Sequence, residues 1–97
     1  MNLYFITYDL KTPGRNYSGL FDVIKKEGAW WHYLESAWMV VSQKDTDELN
    51  DLLRAQIDQT DRLLIFNIKS LKDIPFRGWL AKDAWSWIHS RLSEIQK

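Results

Sequence analysis

Three runs in this chain read as β-strands with almost no polar face. Leu3 to Tyr8 is Leu-Tyr-Phe-Ile-Thr-Tyr, Ala37 to Val41 is Ala-Trp-Met-Val-Val, and Leu63 to Ile68 is Leu-Leu-Ile-Phe-Asn-Ile. An antiparallel strand with one wet face alternates apolar and polar residues. Here Leu3 and Phe5 oppose Tyr4, Ile6 and Tyr8, while Trp38 and Val40 oppose Met39 and Val41. Burying a large side chain stabilises by about 1.5–3 kcal/mol, so a hydrated face would forfeit much of a small domain's stability. Both sides of the sheet must therefore be covered.

The segments between the strands supply one cover. Tyr17, Leu20, Phe21 and Ile24 recur at helical spacing, with Asn16 as the expected N-cap, Lys25 and Lys26 in the last turn and Gly28 as the stop. Asp45 and Glu48 are spaced as a capping box ahead of a second stripe, Leu49, Leu52, Leu53 and Ile57. Trp30 to Leu34 and Ala37 to Val41 flank Glu35-Ser36, a connection so short that it implies an antiparallel hairpin. The expected fold is α+β, a ferredoxin-like βαββαβ antiparallel sheet with two helices on one face plus a C-terminal helix. Residues 1–70 form that core. Residues 71–97, a connector marked by Pro75 and Gly78 and a Trp-rich helix, belong to the same single domain. Ala81, Ala84, Trp85, Ile88, Leu92 and Ile95 line one side of that helix.

The second face, expected to be the one bearing Tyr4 and Ile6, has two candidate covers. One is the chain's own C-terminal segment. The favoured one is a second copy packed sheet to sheet, giving a homodimer or higher homo-oligomer, and both can operate together.

Charge and composition narrow the function. Thirteen basic residues balance thirteen acidic ones, whereas duplex binders carry a basic excess. Without cysteine there is no disulfide, thiolate metal site or cysteine nucleophile. The longest apolar run, Ala37 to Val41, cannot span a bilayer, and no signal peptide is evident. A cytoplasmic protein with no membrane partner is expected. Six tryptophans, at positions 30, 31, 38, 79, 85 and 87, are more than a core of this size readily holds. Some are expected at a ligand or a subunit boundary.

Thr7-Tyr8-Asp9-Leu10, Pro13-Gly14, Asn16-Tyr17, Gly28-Ala29-Trp30-Trp31-His32-Tyr33-Leu34-Glu35-Ser36 and Trp38 resemble small bacterial and phage proteins known as SinR-like. Ile57-Asp58, Asp61 and the following Leu-Leu-Ile continue the likeness. More distantly the chain is similar to the ferredoxin-like CRISPR-associated endonuclease Cas-two family and the VapD ribonuclease toxins. That resemblance implies dimers formed through the sheets. It also implies a metal at the dimer axis, held by an aspartate that closes strand one after a tyrosine, the position of Asp9. Of the basic residues common after that aspartate, only Lys11 and Arg15 stand here.

Asp9 is the one residue nominated for catalysis, through Mg²⁺ shared across a two-fold axis. The plainer and favoured reading is that it ends a strand and bonds the following turn. His32 can serve as acid–base group or phosphate donor, or simply as a satisfied sheet residue. Trp30, Trp31, Tyr33 and Trp79 offer rings on which a base can stack, with cross-strand packing as the duller alternative. Arg15, Arg77 and Lys82 would meet phosphates. No phosphate loop, dinucleotide fingerprint, zinc spacing or nucleophile elbow is present, so no cofactor other than Mg²⁺ is implied.

The expected function is a non-catalytic, oligomeric binding module for a nucleotide-like ligand, either a small signalling nucleotide or a short single-stranded nucleic acid. The alternatives are a Mg²⁺-dependent endonuclease or endoribonuclease of the CRISPR-associated or VapD type using Asp9, and a protein–protein regulatory module anchored by Trp87.

Overall fold

The computed structural model describes residues 1–69 and 71–95, with backbone alone for Asp73 and residues 92–95. Strand β1 (Asn2–Asp9) is followed by helix α1 (Ser18–Glu27), strands β2 (Trp30–Leu34) and β3 (Ala37–Ser42), helix α2 (Thr46–Arg54) and strand β4 (Arg62–Asn67). A 3-10 turn at Leu71–Asp73 then leads to helix α3 (Lys82–Ile95). This is an α+β fold around a four-stranded antiparallel sheet in the order β2-β3-β1-β4.

Local chemistry sets the boundaries. Asp45 accepts from Glu48 N–H at 2.8 Å while Glu48 Oε1 accepts from Asp45 N–H at 3.1 Å, the reciprocal box that starts α2. The α1 start differs from expectation. Tyr17 holds the N-cap position, and Asn16 Oδ1 accepts from Ser18 N–H at 2.9 Å one residue earlier. Helix α2 ends at Arg54, so Ile57, expected on its stripe, reaches the core from the turn beyond it. The hairpin forms around Glu35-Ser36, with a register shift in β2 between Trp31 and Leu34.

The two faces are the reverse of the sequence expectation. Tyr4, Ile6 and Tyr8 pack under α1 and α2 with Leu20, Ile24, Leu49 and Leu53. Leu3 and Phe5 occupy the other face. There a second core joins Leu3, Trp31, Met39 and Val41 to Leu71, Ala84 and Ile88. The chain's own C-terminal segment, one of the two candidate covers, thus lies on that face. It stops short of β4, whose Leu64 and Phe66 remain 51% and 52% exposed.

Ala84 and Ile88 hold the inward stripe of α3, whereas Ala81, expected on it, is exposed just before the helix, and Trp87 sits half-buried at its margin. The side chains of Leu92 and Ile95, placed on that stripe from sequence, lie outside the described ones. Among the described residues no helix is long and apolar enough to cross a membrane.

Candidate functional site

The C-terminal segment does not seal against the sheet. Residues 74–81 form neither helix nor strand, and Ile74, Phe76 and Leu80 among them lie along the second face. Between them and the strands lies an apolar cavity of about 290 Å³. Its floor is Phe5, Trp31, Met39 and Phe66 from the sheet, and its roof includes Ile74, Phe76, Leu80 and Trp85. Phe76 and Trp85 lie nearly parallel, 6.3 Å apart and 23° inclined. Arg77 is the one charged residue in this wall. A second depression of about 500 Å³ shares Phe76, Arg77 and Trp85 and adds Lys72 and His89. Arg77 therefore stands between an apolar chamber and a basic one. That pairing suits a ligand with an aromatic or aliphatic body and an anionic group.

The residues singled out from sequence scatter around this cleft. Trp31 and Arg77 line it. Trp31, however, is only 2% exposed, and its Nε1 donates to Ala84 O at 3.1 Å. It is core, and leaves little of its ring for the base stacking expected of it. Alternation along β2 explains the burial, since Trp31 faces the second core. Tyr33 packs against the Trp31 ring at 5.4 Å and stays exposed. Trp79 projects fully into solvent from the connector, and Lys82 is exposed at the first residue of α3.

Trp30 and His32 lie on the opposite face, away from the cleft. His32 stacks on the buried Trp38 ring at 3.7 Å with a 22° tilt, and its Nε2 lies 3.2 Å from Glu35 O. Trp38 Nε1 donates to Tyr8 Oη at 3.0 Å, and that hydroxyl donates to Glu35 O at 3.1 Å. Burial pushes the Tyr8 hydroxyl above its ordinary pKa, and the bond from Trp38 offsets part of the rise. Trp30 packs 5.5 Å from Trp38 and carries Lys25 over its ring at 5.1 Å. These contacts fix the hairpin to α1 and are structural in form.

Asp9 ends β1, exposed, with Lys11 Nζ 2.6 Å from its carboxylate. Among the described residues no group of three or more His, Asp or Glu side chains is placed to hold a metal. Arg15 is also occupied: it pairs with Asp58, donates to Gln56 O at 3.2 Å and lies over the Tyr17 ring at 5.0 Å.

Sequence reading missed two features. The first is Phe5, Phe66, Ile74 and Phe76 as cleft wall. The available signal was the apolar content of a Pro/Gly connector, which solvent alone would not favour. The second is Asp61, a buried carboxylate that gathers two loops. It accepts from Lys11 N–H at 2.7 Å, Asp58 N–H at 2.8 Å and the Tyr17 hydroxyl at 2.8 Å. Burial works to raise its pKa, but these donors together with nearby Arg15 outweigh burial and hold it below the usual carboxylate value.

Compared with protein-family models, curated proteins and solved structures, the chain matches none. The site must be read from its own geometry.

Proposed function

We propose that the protein is a non-catalytic binding module for a nucleotide-like ligand, held in the cleft beneath the C-terminal segment. The observation that carries this reading is the apolar, aromatic-walled cavity with Arg77 at its boundary. A base would enter between Phe66, Phe76 and Trp85, where its π-face meets rings of like character. Phosphate would turn toward Arg77, with His89 on the same side. Trp79 and Lys82 would contribute from the rim. Trp30, His32 and Arg15 leave the ligand set, because the sheet and the Asp58 pair hold them elsewhere.

The test is titration of mono-, di- and cyclic nucleotides and short oligonucleotides, followed by tryptophan fluorescence and melting temperature. Binding to the native state raises the melting temperature in proportion to ligand excess over Kd. A ligand that does so, and loses affinity in Arg77→Ala, supports the reading. No response to any of them removes it.

The βαββαβ element order with sheet order β2-β3-β1-β4 supports a ferredoxin-like reading of residues 1–70. Kinship with SinR-like proteins rests on the residues quoted for it. The endoribonuclease alternative rests on the same likeness and on the exposure of Asp9. Mg²⁺-dependent cleavage of single-stranded RNA that disappears in Asp9→Ala would put it ahead.

A further inference from the structure

The sheet has two edges, and they are built differently. Edge strand β2 carries a bulge between Trp31 and Leu34, a device that discourages pairing with another chain. Edge strand β4 is regular over Arg62–Asn67 and holds neither proline nor charge between Leu63 and Asn67. Its hydrogen-bond phase is fixed by Ile68 N–H, which donates to Leu3 O at 2.9 Å. Antiparallel partners alternate between bonded and non-bonded pairs. With Tyr4 opposite Asn67 and Phe5 opposite Phe66, Leu64 and Phe66 therefore bond inward to β1. Leu63, Ile65 and Asn67 direct their N–H and C=O groups to the open side.

We propose that this edge is a homodimer interface, in which two copies pair β4 with β4 antiparallel about Ile65 and merge their sheets into one. The occupant follows from self-complementarity. When Ile65 lies opposite Ile65, the outward groups of Leu63 meet those of Asn67, and every free edge group of these residues gains a partner. The same register sets Leu64 of one copy opposite Phe66 of the other, twice by symmetry. These are the two large β4 side chains that the C-terminal segment leaves half in water. They fall in non-bonded pairs, where side chains approach most closely. Arg62 comes opposite Ile68, so no like charges are opposed. The interface needs no ligand, and it brings Leu64 of the second copy beside Phe66 at the cleft wall.

The experiment uses the full chain without ligand. Sedimentation equilibrium should give a dimer, and hydrogen exchange should show the Leu63, Ile65 and Asn67 amides protected. Leu64→Lys with Phe66→Lys opposes like charges across the axis and should yield a monomer with those amides released. Leu64→Glu with Phe66→Lys changes the same positions but opposes unlike charges, and should remain dimeric. That variant also controls for folding, which circular dichroism checks in both. A wild-type monomer into the millimolar range overturns the proposal. So does a dimer whose three amides exchange freely, a dimer that survives the double lysine change, or a monomeric Glu/Lys variant. None of these outcomes bears on whether nucleotides bind.

Discussion

Trp31 Nε1 donates to the carbonyl oxygen of Ala84 at 3.1 Å, across 53 positions of sequence. It ties an edge strand to the first turns of α3, and with Ala84 and Ile88 it makes the C-terminal segment part of the core.

Removing the ring should therefore loosen α3 and the cleft together. Trp31→Ala is expected to cost about 3–5 kcal/mol, as for other large aromatic truncations in a core. Trp31→Phe keeps most of the apolar area and loses the bond, costing about 1–2 kcal/mol. Urea denaturation of the two variants measures the difference. Faster amide exchange confined to α3 would locate it.

Gly28 and Gly14 look alike in sequence and are needed for different reasons. A Cβ on Gly28 would stand 2.3 Å from Val41 O, a backbone atom of β3, while Gly14 has open space but a φ of +79°. Gly28→Ala must displace the strand and should cost about 1–3 kcal/mol, as overpacking does. Gly14→Ala should cost about 1–2 kcal/mol through left-handed strain alone. Asparagine separates the two. It tolerates the left-handed region, so Gly14→Asn should recover most of the loss and Gly28→Asn none, as melting curves will show.

Asp61 makes acid stability a sharp probe of the loop junction. Its carboxyl lies below the usual value in the folded chain. It therefore binds fewer protons folded than unfolded, and stability rises with pH through that interval. The contribution is complete above the unfolded pKa of about 3.9 and disappears as pH falls through the lower folded value. Asp61→Asn should be less stable than the parent at neutral pH. The gap should close below about pH 3.9, because the parent then loses what the variant never had. Urea midpoints measured across that range give the comparison.

The strands, both core helices and the capping box were legible because each rests on neighbours in sequence. The periodicity of Leu20 and Ile24, and the Asp45–Glu48 spacing, require nothing distant. The assignment of faces was not legible. Leu3 and Tyr4 are both apolar, and only the side on which α1 and α2 pack decides which joins the first core. The cleft failed for a related reason. Phe66 and Phe76 are ordinary apolar residues until the connector lies along the second face and makes them two walls of one cleft, and Trp31 looks like a ligand platform until Ala84 caps its nitrogen. Asp61 forms part of the SinR-like resemblance, but its three donors come from two loops and from Tyr17, which no spacing brings together.

Trp79 tests whether the exposed aromatic surface serves a ligand or nothing at all. It is 100% exposed, so the folded chain gains no burial energy from it. Trp79→Ala should change stability by less than about 0.5 kcal/mol, the range of surface substitutions without special contacts. If the ring covers a bound base at the cleft rim, the same change removes a stack worth about 1–3 kcal/mol. That is a loss of roughly five- to 150-fold in affinity. Arg77→Ala should weaken phosphate-bearing ligands while sparing the nucleoside, because only the charged group addresses the guanidinium. Titrating nucleoside and nucleotide against both variants separates ring from charge. Should Trp79→Ala bind as the parent does, the rim takes no part and the ligand is held by the cleft walls alone.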